Sequence, residues 1–139
     1  GWRQSFHRIR IEPGKAVGFG ILNEKPVFIL PGGPSANVMG FLQIALPGLH
    51  ALSGYSSPGL PKINARLASE LKGRELEWTH FFFGTLEFAN GLPIFHPFQR
   101  VSRLTSISEA TAIASIPEGE DCLQEGSIIS VQFLSHKSI

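Results

Sequence analysis

At 139 residues, with 42% apolar and 17% charged side chains, the chain has the material for a folded core and too much of it for a disordered segment. Twelve basic residues against 11 acidic leave a net charge of +1, which gives no support to nucleic-acid binding through bulk electrostatics. The single cysteine, Cys122, excludes an internal disulfide framework and a cysteine-based zinc cluster, and no apolar run approaches the length of a membrane span. A reducing, cytoplasmic setting without a membrane is the resulting expectation. Gly1 stands where an initiating methionine would, and reads as the cut end of a longer protein or as a cloning remnant.

Residues 6–11 alternate Phe6, Arg8 and Arg10 with His7, Ile9 and Ile11, the pattern of a strand with one polar face. Glu12-Pro13-Gly14-Lys15 follows as a turn in which Gly14 takes the position that wants a positive φ. Residues 16–22 and 25–30 form an expected hairpin around Asn23 and Glu24. The chain then reaches Pro31, Gly32, Gly33, Pro34 and Ser35, read as strand, glycine turn and helix N-terminus. In that reading Gly32 and Gly33 adopt backbone conformations closed to other residues, and the Ser35 hydroxyl accepts a bond from an exposed amide. Such a turn can gather backbone N–H groups at the positive end of a helix, where an oxyanion fits. On spacing alone, two glycines fit a purely structural turn better than a phosphate loop. Arg8, Lys15 and Lys25 are either solvated surface cations or the charged side of that anion site.

Val38, Phe41, Leu42, Ala45, Leu49 and Leu52 follow helical spacing through residues 35–52, and Met39, Ile44 and Leu46 widen the stripe. The helix should be buried on most sides, with Pro47 kinking or dividing it and Ser53-Gly54 ending it. This small α/β segment lacks the partners to cover such a helix, which argues for a fragment or an intimate oligomer. Residues 55–61, YSSPGLP, form a linker.

Beyond the linker the pattern is β. Ile63, Ala65 and Leu67 alternate, residues 78–88 make a long aromatic strand, and Asn90-Gly91 marks a hairpin. Pro93 and Pro97 place the return strand, 92–98, at an edge or on bulges. Residues 106–111 suggest a short helix with Ser106 and Glu109 as a capping box. Strands at 112–116 and 128–134, with turns at 117–121 and 124–126, complete a small barrel or sandwich. The five histidines show no metal-ligand spacing.

In order along the chain, these motifs resemble the carboxy-terminal part of the molybdopterin molybdotransferase (MoeA) family, related to the C-terminal domain of gephyrin. That family runs a basic strand into K-P-G-K, then L-P-G-N-P-V-S-A opening a helix that ends L-S-G. The counterparts are Arg8, Glu12 to Lys15, Leu30 to Asn37, and Leu52-Ser53-Gly54. Its final domain has a serine turn, an S-L-x-x-A helix, I-P-E-G and a G-x-x-V strand. Ser102, Ser106 to Ala110, Ile116 to Gly119, and Gly126 to Val131 match these.

The resemblance implies an α/β fragment followed by a small all-β domain. Residues 1–54 would be the end of a MogA-like molybdopterin-binding domain, 55–61 a linker, and 62–139 a barrel-like domain IV. It implies insertion of molybdate into adenylylated molybdopterin with release of AMP and with Mg2+, whose ligands would lie upstream. Arg8 and Lys15 would be catalytic, and Pro31, Gly32, Gly33, Pro34, Ser35 and Ser102 would bind substrate. A homodimer, the parent's N-terminal domains and a MogA-type adenylyltransferase would be partners. Three departures stand out: Glu12 replaces the first lysine of K-P-G-K, Gly33 replaces the asparagine of L-P-G-N-P, and a family arginine is replaced near His80. They point to weakened anion binding, and they support the alternative of a non-catalytic binding or scaffold module on the same fold. An unrelated small barrel with an accidental glycine turn is the third reading.

Overall fold

The computed structural model describes residues 1–98 and 103–134. The chain divides into two compact units, Gly1–Gly59 and Leu60–Ile139.

In the first unit, β1 (Trp2–His7) is followed by the two-residue β2 (Ile11–Glu12), then by β3 (Gly18–Leu22) and β4 (Lys25–Ile29). An antiparallel sheet of order β1-β3-β4 results. β1 starts and ends earlier than the alternation at residues 6–11 suggests: it stops at His7, and Arg8 turns away with φ 75°. The β3–β4 hairpin closes on Asn23 and Glu24, both at positive φ, with Leu22 opposite Lys25. This is the backbone of a two-residue turn whose twist matches that of its strands.

A helical run then covers residues 34–52 in three pieces: α1 (Pro34–Gly40), a π turn (Phe41–Ala45) and α2 (Leu46–Leu52). Pro47 does not stop the helical run, but it lies just after the π turn that divides it into two α segments. Its ring displaces an i−4 hydrogen bond, and the chain absorbs the loss one turn earlier, where the Leu46 N–H reaches back to the Phe41 carbonyl. The helix ends as its sequence suggests, with Gly54 at φ +87°. His50 in its last turn stacks on Tyr55 at 4.2 Å, and its Nδ1 accepts the Gly59 N–H. Burial is lower than the apolar stripe suggests. Met39, Gly40 and Ala45 are buried, whereas Leu49 and Leu52 remain exposed.

The second unit is a closed barrel of five strands: β5 (Lys62–Leu67), β7 (Thr79–Glu87), β8 (Ile94–Pro97), β9 (Ala112–Ile116) and β11 (Ile128–Phe133). Their order is β7-β8-β5-β11-β9, and pairing of β7 with β9 closes the ring. Period-two alternation sends Ala65, Leu67, Phe95, Ala112, Ala114, Ile116 and Val131 inward to one core. Phe82 is half-buried and packs against that core.

β8 is not at an edge. It lies between β7 and β5, parallel to the latter with Leu67 opposite Phe95. Pro97 is tolerated because it occupies the strand's last position, opposite Gly84. A ribbon of β6 (Leu71–Lys72) and β10 (Cys122–Leu123) accompanies the barrel. α3 (Arg103–Glu109) begins before Ser106, which is therefore mid-helix and not a cap. Thr111 ties the end of this helix to the barrel: its N–H donates to Gly84, and its hydroxyl accepts the Leu86 N–H at 2.9 Å. Among the described residues no helix is long and apolar enough to cross a membrane.

Candidate functional site

The glycine turn is built from the end of β4 and the start of α1. Gly33 is the N-cap, extended at φ −69° and ψ 144°, and its carbonyl accepts the Asn37 N–H at 2.7 Å. Pro34 occupies the first helical position, where the missing N–H costs nothing. Asn37 also reaches back, its Nδ2 donating to the Pro31 carbonyl at 3.0 Å, so one residue, through its backbone N–H and its side chain, pins both ends of the turn.

Two expectations need correction here. Neither Gly32 nor Gly33 adopts a positive φ, so backbone freedom is not what these glycines contribute. A Cβ at either position would meet nothing within 4 Å, so their contribution is an uncovered backbone. Ser35 lies inside the helix, and no side chain caps it. The amides of Ser35 and Ala36 thus belong to the first turn, where no intrahelical acceptor exists. Bare glycines in front of such amides are the geometry that suits an oxyanion.

Arg8 follows the end of β1, and Lys15 lies in the turn between β2 and β3. The Arg8 N–H donates to the Val17 carbonyl at 3.0 Å, and the Ile9 N–H to the Lys15 carbonyl at 2.9 Å, which fixes the two backbones together. A bulky residue at φ 75° is a strained arrangement held by its surroundings. Gly14, buried at φ +114°, lets the turn rest on α1: a Cβ there would lie 3.4 Å from the Gly40 N and 3.5 Å from the Ala36 carbonyl. Gly40 in turn faces the Pro31 ring, at 3.2 Å from a Cβ in its place.

The cation-bearing turn and the glycine turn are therefore braced on one helix. Their side chains are not joined. Arg8, Glu12 and Lys15 are exposed, and among the described residues none of them forms an ion pair. Ser102 lies outside the described residues. No group of three or more His, Cys, Asp or Glu among the described residues could hold a metal ion.

Sequence reasoning missed an apolar groove of about 410 Å³ in the first unit, lined by Phe6, Phe19, Phe28, Ile44 and Leu52 among others. Phe6, Phe19 and Phe28 are cross-strand neighbours on β1, β3 and β4, with ring centroids 6.1 and 5.0 Å apart. Only the strand register, which the residue pattern did not supply, brings them into one ladder.

A family model of the MoeA C-terminal region (domain IV) matches residues 64–134. The chain belongs to the MoeA family. It carries the C-terminal portion, and the five-stranded barrel is the domain IV fold. A crystal structure of a molybdopterin biosynthesis MoeA protein from Pyrococcus horikoshii superposes with a TM-score of 0.77 at 27% identity, covering 94% of this chain and 32% of that one. A molybdenum cofactor biosynthesis protein from Pyrococcus furiosus shares the fold at TM-score 0.76 and 23% identity, over 94% of this chain and 45% of its own. A putative molybdopterin biosynthesis protein of Methanocaldococcus jannaschii is 54% identical over 35 residues, which is 25% of this chain and 9% of that protein. This MoeA-family chain thus spans about a third of the P. horikoshii structure it matches.

Proposed function

We propose that this chain is the C-terminal part of a molybdopterin molybdotransferase, which inserts molybdate into adenylylated molybdopterin and releases AMP. The observation that carries the reading is the uncovered turn at Gly32 and Gly33, braced through Gly14 and Gly40 against the turn that holds Lys15. Backbone amides of the first helical turn would meet a phosphate or molybdate oxygen, and Arg8 and Lys15 would supply the charge that favours it. Residues 1–54 would be the end of a MogA-like α/β domain, and upstream elements of the parent would cover the Phe6–Phe19–Phe28 groove. Magnesium, if used, would need ligands from that upstream part, because the described residues offer no acidic cluster. A cytoplasmic homodimer working with a MogA-type adenylyltransferase completes the reading.

Glu12 opposes anion binding. At about 6 Å from an oxyanion, a carboxylate costs about 0.7 kcal/mol in bulk water and about 3 kcal/mol at an effective dielectric of 20. Because Glu12 is exposed, the penalty falls between those limits, roughly threefold to a hundredfold in affinity. Titration calorimetry of the intact parent at low salt, with molybdate and pterin phosphate, tests this. Glu12→Lys should tighten binding within that range, and Arg8→Ala should weaken it. If neither substitution moves affinity, the oxyanion is not held here and the turn is structural only.

The inverted charge at Glu12 also favours a second reading, a binding or scaffold module on the same fold. Labelled molybdate transfer separates the two: transfer by the parent supports the enzyme, and anion-independent partner binding without transfer supports the module.

A further inference from the structure

The loop that carries Arg8 and Lys15 holds a further cation, Arg10. Along residues 8–12 exposure alternates: Arg8, Arg10 and Glu12 are exposed, while Ile9 and Ile11 are partly buried. Backbone bonds fold this segment tightly. The Arg8 N–H donates to the Val17 carbonyl at 3.0 Å, the Ile9 N–H to the Lys15 carbonyl at 2.9 Å, and the Ile11 N–H to the Ile9 carbonyl at 3.0 Å. The last of these closes a three-residue turn with Arg10 at its apex. Val17, which has no exposed surface, anchors the base of the loop, and its N–H donates to the Gly14 carbonyl at 3.0 Å.

Arg8, Arg10 and Lys15 therefore share one short loop with a single carboxylate, Glu12. Among the described residues Arg10 forms no ion pair, just as the other three form none. Glu24, the remaining acidic residue of the first unit, lies beyond the far end of β3, in the β3–β4 turn. Like charges held close together repel, and Arg8 adds backbone strain at φ 75°. A cation that is merely solvated has no need of a strained backbone position. An anion bound among the three offsets both costs.

We propose that Arg10 is a third cation of the candidate anion site, and that the site takes a dianion. The inference rests on the anion reading above and adds to it a binding residue and a ligand charge. Arg8 and Lys15 against Glu12 leave one net positive charge, which suits a monoanion. With Arg10 the loop carries two, and the Coulomb attraction for a dianion is twice that for a monoanion in the same place. The ligand class is a tetrahedral oxyanion or phosphomonoester with two charges, in preference to a phosphodiester with one. Arg10 also offsets Glu12, and its planar guanidinium can meet two oxygens of one ligand at once.

The test is a titration of the 139-residue chain at low salt with two tetrahedral oxyanions, the dianion molybdate and the monoanion perrhenate. Binding is read from the amide shifts of Ile9, Lys15 and Ser35, and unchanged shifts of Ala114 and Val131 in the barrel show that each variant is folded. At about 6 Å in bulk water, loss of one cation costs about threefold in affinity per unit of ligand charge. Arg10→Gln should therefore weaken molybdate about tenfold and perrhenate about threefold, while Arg10→Lys keeps most of the affinity. Glu12→Gln should tighten both ligands with the same dependence on charge. If Arg8→Ala weakens molybdate and Arg10→Gln does not, the anion site stands and Arg10 has no part in it. If neither variant changes affinity, the site itself fails and this inference fails with it. Equal losses for molybdate and perrhenate in Arg10→Gln overturn the preference for a dianion.

Discussion

The two units solve the same problem, covering a β-sheet, in opposite ways. The barrel closes on itself, so its inward residues need no further partner, and Phe95, Ile116, Ala65 and Ala114 have no exposed surface. The first unit lays one helix on a three-stranded sheet and leaves an apolar groove beside it. Its fully buried apolar side chains are few, Val17 and Met39 foremost, while Phe41, Leu49 and Leu52 face outward. Closure produces rigidity in one unit; openness leaves the other with compliant side chains and an accessible turn. The candidate anion site lies in the open unit.

One substitution made in both units should break or confirm that contrast. A Cβ at Gly84 of β7 would collide with the His96 carbonyl oxygen and the Phe95 ring. Neither can move, because β8 is paired on both sides and Phe95 fills the core. Gly84→Ala should therefore cost about 3 kcal/mol or more. A Cβ at Gly48 of α2 would collide with the tip of the Phe28 ring, which borders the groove and can swing into it. Replacing a helical glycine also gains about 1 kcal/mol, so Gly48→Ala should fall within about 1 kcal/mol of neutral. Trp2 and Trp78 lie one in each unit, so urea unfolding of single-tryptophan backgrounds reads the two separately. Equal costs at Gly84 and Gly48 would mean that the groove is as stiff as the barrel.

The same contrast explains what the sequence made legible. Local signals were sufficient for the barrel strands: the alternation at Ile63, Ala65 and Leu67 and the turn glycines Gly91, Gly119 and Gly126, all at positive φ, mark its elements along the chain. Its closure was not visible, because the parallel pairing of β5 with β8 joins segments far apart in sequence. Pro97 misled for the same reason, since a proline's tolerance depends on which hydrogen bonds its position needs. At the candidate site the strand-to-helix placement of Pro31 to Pro34 was legible from Pro and Gly. The roles of the glycines were not: φ at Gly33 is ordinary, and Asn37, which pins the turn, was one polar residue in an apolar helix. The brace through Gly14 and Gly40 depends on tertiary contact alone.

A smaller effect separates the two units at their hairpins. The barrel's β7–β8 connection puts Gly91 at φ +92°, whereas the β3–β4 turn puts Glu24 at φ 67°. A side chain in that conformation costs roughly 1–2 kcal/mol, partly offset in Glu24→Gly by the extra freedom of glycine in the unfolded chain. Asn-Gly is also the favoured pair for this turn. Glu24→Gly should stabilise the first unit by about 0.5–1 kcal/mol, read as a higher urea midpoint of the Trp2 signal with the Trp78 signal unmoved. A coupled shift of both signals would show that the two units unfold as one.

The smallest expected effect concerns the part of the second unit that closure does not reach. Cys122 is half-buried on the β6–β10 ribbon. Desolvation pushes its thiol above the ordinary range, Asp121 adds a hydrogen bond and charge in the same direction, Glu70 adds charge, and Gln124 opposes them through its Nε2 at 3.5 Å. A raised thiol keeps its proton more tightly in the folded state, so this contribution to stability is present at low pH and is lost as pH rises through the folded value. Because the thiolate is the nucleophile, iodoacetamide should react more slowly with the native chain than with the urea-unfolded chain at pH 8. Limited access alone would slow the reaction by the same factor at every pH. A raised thiol predicts instead that the native-to-unfolded rate ratio climbs as pH rises, and that Asp121→Asn lifts the ratio at pH 8. A ratio independent of pH and unaffected by Asp121→Asn would leave packing as the whole cause, and the ribbon would then be as closed to solvent as the barrel beside it.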